Sequence, residues 1–272
     1  MDEALSLQNE NLIKADVQLS SRPLLRYPGG KTRAVENITR YFPDKPVTLL
    51  SPFLGGGSIE LALAAKGTIV FGFDIFSPLV EFWQCVLTQP KTLAKEVEKY
   101  FPLSRSKFYE LQQNQTGFKT KLERAAVFYV LNRSSFSGST LSGGMSPGHP
   151  RFTQTAIERL REFYNPNITV KKADYKQSLE EHPDTFAYID PPYLIKSRLY
   201  GKKGDAHKDF NHEVLAGILR NRDRWILSYN DCPAIRNLYK GFSIITANWK
   251  YGMSNDKSSK EILIFSRDIR QF

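Results

Sequence analysis

The sequence predicts an α/β fold with a mostly parallel sheet, and three observations support this class. Short apolar runs rich in β-branched residues recur along the chain, as in strands that are buried on both faces of a sheet. Segments with helical periodicity lie between them, so strands and helices alternate. The last two apolar runs are separated by a polar stretch without a helical pattern, which indicates an antiparallel hairpin at one edge.

Six segments are predicted as strands, and two of the segments between them as helices. The strands are, in chain order, Val47–Leu50, Thr68–Phe73, Thr185–Ile189, Arg224–Tyr229, Phe242–Thr246 and Glu261–Phe265. The helix Ser58–Lys66 is rich in Ala and Leu, and the helix Asn211–Arg220 gathers its apolar residues on one face. The polar stretch 248–260 joins the last two strands.

The middle of the chain interrupts this alternation. Residues 91–165 contain helical patterns, among them Leu122–Leu131 and Thr155–Tyr164, around a long Gly- and Ser-rich loop. This region has 12 Lys and Arg residues against 6 Asp and Glu residues, so it carries +6 of the net charge of +10. We therefore predict an α/β domain formed by residues 1–90 and 166–272, with an inserted, mainly helical domain at residues 91–165.

The net charge indicates a polyanionic partner. The chain has 38 Lys and Arg residues and 28 Asp and Glu residues. A basic surplus of this size favours DNA, RNA or an acidic membrane surface. A solvated basic surface with no such partner is the alternative that charge alone leaves open.

Composition argues against several other classes. The two cysteines, Cys85 and Cys232, form no disulfide framework, which fits a reducing cytoplasm. The four histidines have no metal-ligand spacing and there is no Cys-x-x-Cys pair, so no metal site is expected. The polar N-terminus lacks the apolar core of a secretory signal, and no stretch approaches the roughly 18 apolar residues that span a bilayer. We expect a cytoplasmic or nucleoid-associated protein with no membrane partner.

Two glycine-rich turns occur early in the chain. The first, at 26–32, ends in Gly-Lys-Thr, but a phosphate-binding P-loop would need glycine where Leu25 stands. The second, Pro-Phe-Leu-Gly-Gly-Gly at 52–57, lies between a predicted strand and a predicted helix, where α/β domains bind nucleotide-like ligands. Glu60 replaces the third glycine of a dinucleotide fingerprint, and Asp74 ends the next strand, from which a carboxylate can bind ribose hydroxyls. This pattern predicts a site for an adenosine-containing ligand; a tight turn with a helix-capping Asp is the alternative.

The motif Asp190-Pro-Pro-Tyr193 directly follows the predicted strand Thr185–Ile189. Its two prolines end the strand and stiffen the backbone, so a carboxylate and carbonyl oxygens are held at the ligand-binding edge of the sheet. Such acceptors can bond both N–H hydrogens of a nucleobase amino group and free its lone pair to attack an electrophilic methyl group. Tyr193 offers a stacking face to a base removed from its duplex. A proline-rich strand end without a function is the alternative.

With these motifs in this order, the sequence resembles the Dam-type, alpha-class DNA adenine-N6 methyltransferases. The resemblance extends from Leu24 to about Ser266 and rests on Tyr-Pro-Gly-Gly-Lys, Pro-Phe-Leu-Gly-Gly-Gly, a helical insert and Asp-Pro-Pro-Tyr. It implies a Rossmann-like class I methyltransferase sheet with an inserted DNA-recognition domain. It also implies S-adenosylmethionine as methyl donor, no metal, and site-specific methylation of a flipped adenine in duplex DNA. A restriction–modification partner, a viral origin and a solitary methylase all stay open.

The resemblance assigns roles to individual residues. In the family, the aromatic residue and the lysine of the first motif contact the donor, and these match Tyr27 and Lys31. Asp74 and Asp190 match the acidic residues after the second strand and at the start of the catalytic motif. The remaining implied donor-binding residues are Phe53, Gly55, Gly57 and Asp174, and the implied catalytic residues are Asp190, Pro191, Pro192 and Tyr193.

Two positions depart from the family pattern. Ser51 stands where the family often has an acidic residue before Pro-Phe, which removes a charge near the methionyl end of the donor. Tyr27 stands where tryptophan is frequent, and it keeps an aromatic face at that position.

Two basic elements are the predicted contacts to double-stranded DNA. The loop after the catalytic motif is expected to bind phosphates; its basic residues are Lys196, Arg198, Lys202 and Lys203. Arg133 and the loop after it are placed like the family's base-reading element, and arginine can bond guanine edges bidentately. A solvated mobile loop is the alternative for the first element. The expected assembly is a monomer, or a dimer on DNA.

Two other function classes stay open at this point. One is an amino methyltransferase for cytosine N4, RNA adenine or a protein amide; Asp rather than Ser or Asn at position 190 favours adenine. The other is a nucleic-acid-binding homologue that has lost catalysis, against which the intact motif Asp190–Tyr193 argues.

Overall fold

The computed structural model describes residues 18–27, 29–43, 48–138, 140, 143–146, 151–194, 210–247 and 261–269. These residues form a seven-stranded mixed sheet with hydrophobic cores on both of its faces. The predicted α/β class is therefore confirmed. None of the described helices combines the length and the apolar character that crossing a membrane requires.

The order of the strands defines where a ligand can bind. The strands are β1 Thr48–Ser51, β2 Ile69–Asp74, β3 Ile168–Lys172, β4 Ala187–Ile189, β5 Trp225–Asn230, β6 Ser243–Ala247 and β7 Glu261–Phe265. They lie in the order β3-β2-β1-β4-β5-β7-β6; the first five are parallel, and β7 is antiparallel to both its neighbours. The strand order reverses between β1 and β4, and open α/β sheets bind ligands beyond the carboxyl ends of the strands at such a point.

Local sequence signals explain where several helices begin. The described α-helices are α1 Val35–Thr39, α2 Ser58–Ala64, α3 Ser77–Thr88, α4 Pro90–Glu98, α5 Arg105–Gln113, α6 Lys121–Ser134, α7 Gln154–Arg161, α8 Tyr175–Glu181, α9 His212–Arg220 and α10 Pro233–Leu238. Prolines stand in the first turns of α3, α4 and α10, where their fixed φ suits a helix and a missing N–H costs nothing. Thr120 and Glu123 form a capping box at the start of α6.

Each face of the sheet is covered by its own hydrophobic core. Leu49 and Leu50 are neighbours in β1, both fully buried, yet they belong to different cores because side chains alternate along a strand. The core of Leu49 includes residues of α2, α3 and the region 91–165, whereas the core of Leu50 includes residues of α8, α9 and α10. Burial on both faces explains why the central strands are continuous apolar runs.

The structure differs from the predicted secondary structure mainly at β3. The six predicted strands are confirmed to within two residues at their ends, and so is the antiparallel pairing of the last two, with β6 at the edge. The edge strand β3 is absent from the predicted set, because the side chains of Lys171 and Lys172 are exposed and only Ile168 and Val170 are buried. An edge strand with one solvated face lacks the continuous apolar run by which the other parallel strands are predicted.

The helices of residues 91–165 pack directly on the α/β core. The rings of Phe82 in α3 and Tyr129 in α6 stack with centroids 5.5 Å apart, and Trp83 contacts Phe163 edge to face at 6.2 Å. Residues 125–131 of α6 are all buried in the same core as β1. The division into two domains at residues 91 and 165 stays a prediction, since the inserted helices share this core.

Candidate active site

The predicted motifs converge where the strand order reverses. Leu50 of β1 pairs with Ala187 of β4. The glycine turn, residues 52–57, follows β1, and the motif Asp190–Tyr193 follows β4. Because both strands point the same way, their carboxyl ends bring the two motifs to one edge of the sheet.

The glycine turn leaves no room for side chains. Gly55 and Gly57 have φ angles of +50° and +66°, in the left-handed region that glycine adopts without strain. A Cβ on Gly55 would lie 3.0 Å from the Tyr27 ring, and a Cβ on Gly56 would lie 2.9 Å from Tyr27 Cβ. Trp83 Nε1 donates a hydrogen bond of 3.0 Å to the Gly55 carbonyl. The turn is thus fixed between two aromatic side chains, one of which is the predicted donor-binding residue Tyr27.

Two carboxylates follow the adjacent strands β2 and β3. Asp74 accepts hydrogen bonds from the backbone N–H of Gly55 at 3.1 Å and of Phe76 at 2.9 Å. Burial raises the pKa of Asp74, and these N–H donors oppose that shift. Asp174 caps α8 by accepting from the Lys176 backbone N–H at 2.9 Å. Asp74 and Asp174 each keep a minor part of their surface exposed, so they fit the binding of hydroxyl or amino groups of an adenosine moiety.

An ion pair between Lys31 and Asp190 forms the centre of the site. Lys31 Nζ lies 2.9 Å from Asp190 Oδ1 and 2.8 Å from Oδ2, and it also donates to the Gly29 carbonyl at 2.9 Å. Ser228 of β5 donates to Asp190 Oδ1 at 2.7 Å. The Lys31 side chain is only 3% exposed, whereas that of Asp190 is 22% exposed. The carboxylate is therefore fixed in position and still accessible from outside.

The rest of the motif Asp190–Tyr193 is anchored by side chains that are distant from it in the sequence. The Tyr193 hydroxyl donates to Glu261 Oε1 at 2.6 Å, and Lys31 Nζ lies 4.9 Å from the centroid of the Tyr193 ring. The main-chain N–H and C=O of Leu194 bond the side-chain amide of Asn230 at 3.0 and 3.2 Å. Pro191 is buried, and Pro192 and Tyr193 are half-buried.

Glu261 is a site residue that the sequence analysis does not predict. It begins β7, is 2% exposed and lies 3.9 Å from Lys31 Nζ. A carboxylate at the start of an otherwise fully apolar strand is the signal that could have identified it, because buried carboxylates need a partner.

Phe53 lines the other side of the glycine turn. Its ring stacks on Tyr175 of α8 with centroids 5.4 Å apart, and it contacts Phe210 edge to face at 5.6 Å. It is half-buried, so this aromatic cluster presents an apolar wall at the sheet edge. Such a wall fits the ring of an adenosine-containing ligand.

Although Ser51 is not acidic, a carboxyl group lies beside it. Ser51 Oγ donates a buried hydrogen bond of 2.7 Å to Glu60 Oε1 of α2. Burial raises the pKa of Glu60 to about 7, the Ser51 hydrogen bond opposes this shift, and the charges of Asp190 and Lys31 also act on it. A buried carboxyl group from the first turn of the following helix therefore lies next to position 51.

Of the five predicted DNA-binding residues, Arg133 lies in the described part of the chain. Arg133 Nε and Nη2 donate to the Arg151 carbonyl at 3.1 and 2.9 Å, and Nη1 donates to the Leu24 carbonyl at 3.3 Å. Its guanidinium therefore braces the backbone in this structure, and its contact with bases stays a prediction. The other four residues lie outside the described part of the chain: Lys196, Arg198, Lys202 and Lys203. Across the described residues, no group of three or more His, Cys, Asp and Glu side chains is arranged to hold a metal ion.

Comparison with known proteins identifies the family. Residues 27–253 match the family model of the D12 class N6 adenine-specific DNA methyltransferases. A type II methyltransferase of Lactococcus lactis subsp. cremoris, M1.LlaDCHI, is 24% identical over 260 residues, which cover 86% of this chain and 89% of the relative. A DNA adenine methylase of Vibrio cholerae is 26% identical over 249 residues, covering 84% and 88% of the two chains.

A viral relative extends this set. The type II methyltransferase M.CviBI of Paramecium bursaria Chlorella virus NC1A is 21% identical over 231 residues, covering 81% of this chain and 87% of the relative. The family model spans both the glycine turn and the Asp190–Tyr193 motif, so the match includes the site described above. The chain therefore belongs to the D12 class of N6 adenine-specific DNA methyltransferases, and its reaction is methylation of DNA adenine at N6.

Proposed function

We propose that Asp190, Pro191, Pro192 and Tyr193 are the catalytic residues of this methyltransferase and that they act on an adenine turned out of duplex DNA. The observation that carries this proposal is the position of the Asp190 carboxylate. It is held by Lys31 and Ser228 at the carboxyl end of β4, beside the glycine turn of β1. A base enclosed in a duplex cannot reach such a recessed group, so the target must leave the stack.

Asp190 activates the amino group by accepting its hydrogens. The adenine amino nitrogen is a weak nucleophile because its lone pair is conjugated with the ring. Oδ1 of Asp190 already accepts from Lys31 and Ser228, whereas Oδ2 accepts from Lys31 alone among the described contacts. We therefore assign Oδ2 as the acceptor of one amino N–H, with a carbonyl oxygen of the proline pair accepting the other. Both bonds draw the nitrogen toward tetrahedral geometry and direct its lone pair out of the ring plane.

Tyr193 orients the base through its ring. Its hydroxyl is fixed by Glu261 at 2.6 Å, so the ring has a defined plane next to Asp190. An aromatic face of this kind stacks on any base without reading its edge. Recognition of adenine then depends on the acceptors that meet the amino group.

The methyl donor is held on the β1 and β2 side of the site. When bound, S-adenosylmethionine supplies the methyl group as an electrophilic sulfonium. The glycines let the Tyr27 side chain pack directly on the turn, since a Cβ at Gly55 or Gly56 would meet it, and this places the Tyr27 ring beside the donor. The side chains that we assign to the donor are Tyr27, Lys31, Phe53, Asp74, Asp174 and Asp190, together with the backbone of Gly55 and Gly57.

The DNA-facing surface is the basic side of the inserted helices and the loop after the catalytic motif. Residues 91–165 hold +6 of the net charge of +10. We assign phosphate contacts to Lys196, Arg198, Lys202 and Lys203, and a role beside the target sequence to Arg133. The acting form is a monomer or a dimer on DNA, working in the cytoplasm or on the nucleoid.

The direct test is methylation of genomic DNA in a host that lacks its own adenine methylation. Expression of the wild-type chain should produce N6-methyladenine at one short sequence, detected by sequencing of native DNA. Asp190→Ala should abolish this signal and also lower the thermal stability, because the buried Lys31 loses its ion-pair partner, so the soluble yield of the variant is compared with that of wild type. Full methylation by Asp190→Ala would overturn the assignment of Asp190. Donor binding by calorimetry without any methylated DNA would instead indicate a homologue that has lost catalysis.

A further inference from the structure

Besides Arg22, four arginines gather around the short segment 22–26, which precedes the first donor-binding motif. Arg26 lies in the segment itself, Arg133 comes from the end of α6, Arg159 from α7, and Arg151 from the stretch before α7. We call Arg26, Arg133, Arg151 and Arg159 the arginine cluster. None of the catalytic or donor-binding assignments above uses Arg26, Arg151 or Arg159.

Backbone carbonyl groups hold the cluster together. Arg133 donates to the carbonyls of Arg151 and Leu24. Arg159 Nη2 donates to the Pro23 carbonyl at 3.3 Å, and Arg26 Nη1 donates to the Ser135 carbonyl at 3.0 Å. The neutral carbonyls orient the guanidinium groups of Arg133 and Arg159 without placing a negative charge beside them.

Glu158, the acidic residue of α7, forms its ion pair with an arginine outside the cluster. Glu158 pairs with Arg161 at 3.2 Å, and Arg161 also pairs with Glu98. Among the described residues, no ion pair involves Arg133, Arg151 or Arg159. The surface around segment 22–26 is thus strongly positive.

The arginines of the cluster repel one another in the protein without DNA, and the pKa values of two of them are lowered. Burial lowers the pKa of Arg26, and the charges of Arg151 and Arg133 lower it further. Burial also lowers the pKa of Arg133, to which Arg159 and Arg151 contribute, while Tyr129 acts in the opposite direction. Arginine nevertheless stays protonated in proteins. A polyanion bound here would relieve this repulsion.

The cluster is joined rigidly to the catalytic motifs. The Asn132 side chain accepts from the Arg26 backbone N–H at 2.8 Å and donates to the Arg26 carbonyl at 2.8 Å. Arg26 is followed by Tyr27, which packs on the glycine turn, and Lys31 then reaches Asp190. A group bound at the cluster is therefore held at a fixed place relative to Asp190.

We propose that the arginine cluster binds backbone phosphates of the DNA beside the target adenine. Arg151 and Arg159 are exposed and contact the phosphates, whereas Arg26 and Arg133 hold the surrounding backbone in position. The proposal rests on the proposed function, since it takes duplex DNA as the ligand. It differs from base reading, because a phosphate contact contributes to binding for every DNA sequence.

The test uses Arg151→Gln, Arg159→Gln and the double variant. Each single variant should weaken binding of a duplex containing the methylated sequence and of an unrelated duplex by the same factor, about threefold to tenfold at moderate salt. Each should reduce the slope of log Kobs against log salt by about 1. The double variant should raise the KM for DNA about tenfold or more. Donor affinity, measured by calorimetry without DNA, should stay at the wild-type value.

Thermal stability separates this role from a structural one. Arg151→Gln should leave Tm unchanged or raise it, because repulsion is relieved, whereas Arg159→Gln also loses the hydrogen bond to the Pro23 carbonyl and should lower Tm slightly. Lys66→Gln is the matched control, since Lys66 is exposed just beyond the end of α2, at the edge of the sheet away from the site. It should leave DNA affinity, salt slope and KM unchanged.

The outcomes also separate this proposal from the proposed function. If the wild type methylates DNA and the double variant keeps the wild-type KM and salt slope, the arginine cluster is not a phosphate site. If the wild type binds DNA through the cluster but methylates no adenine, the proposed function fails while the cluster assignment holds. A drop in Tm together with unchanged salt slope also overturns the cluster assignment.

Discussion

The turn after β1 and the motif after β4 meet at one edge of the sheet but are built in opposite ways. The glycine turn is shaped by missing side chains: Gly55 and Gly57 adopt positive φ, and aromatic rings fill the space beside them. The motif after β4 is shaped by a network of charged side chains, in which Lys31 joins Asp190 to Glu261. One half of the site thus depends on close packing of the backbone against aromatic rings, and the other depends on fixed charges. Substitutions in the two halves should therefore have different effects.

The largest effect is expected where the charged half is broken. Lys31→Met leaves Asp190 without its ion-pair partner and Glu261 buried beside an apolar side chain. Loss of one member of a buried pair costs on the order of 3 kcal/mol of unfolding free energy. We expect methylation to fall on the order of 1,000-fold, since the carboxylate loses its fixed orientation. Chemical denaturation and single-turnover methylation measure the two effects.

The same substitution at an exposed lysine is the control for Lys31. Lys66→Met removes a charge without disturbing a buried partner and should leave both quantities near wild type. Unchanged stability of Lys31→Met would show that the ion pair does not hold Asp190.

A smaller and different effect is expected in the glycine half. Gly55→Ala forces a Cβ to within 3.0 Å of the Tyr27 ring at a φ of +50°. The strained backbone costs about 1–2 kcal/mol, and displacement of Tyr27 should weaken donor binding about tenfold. The control is Gly67→Ala, where φ is +99° but nothing lies within 4 Å of the new Cβ. Calorimetric titration with donor distinguishes the two, because only Gly55→Ala should lose affinity; equal affinity in both variants would contradict a donor pocket at this turn.

The last prediction concerns the free energy of unfolding alone and involves Glu60, which lies between the two halves. Its pKa is raised to about 7 from an ordinary value of 4.5, so the folded state binds its proton more tightly than the unfolded state. The free-energy penalty for burying the ionised carboxylate of Glu60 is absent below about pH 4.5 and complete above about pH 7. The free energy of unfolding therefore falls as pH rises through this interval. Glu60→Gln should therefore be more stable than wild type at pH 8, by on the order of 2 kcal/mol, and equal to it near pH 4.5.

Denaturant unfolding of Glu60→Gln across pH 4.5–8 checks the sign of this effect. Glu36→Gln, at an exposed position, controls for the loss of one negative charge. A stability gain in Glu60→Gln that is the same at both pH values would show that ionisation of Glu60 is not its cause.

Sequence alone predicts those parts of the site in which one short motif carries both geometry and chemistry. Asp190–Tyr193 and the glycine turn are of this kind, because prolines and glycines dictate their own backbone. Glu261 and Glu60 could not be assigned in this way, since their partners Tyr193 and Ser51 lie 68 and 9 residues away and meet them only in the folded chain. The edge strand β3 was unpredicted for a related reason: its pairing with β2, and not its own apolar content, makes it a strand.

The bidentate contact of Asn132 with the backbone of Arg26 has a thermodynamic consequence. It joins the end of α6 to the residue that precedes Tyr27, so a shift of α6 displaces the segment that packs on the glycine turn. If the arginine cluster binds DNA and the glycine turn binds the donor, the two binding equilibria are linked through this contact. Linkage is reciprocal: if bound DNA changes the affinity for the donor by some factor, bound donor changes the affinity for DNA by the same factor.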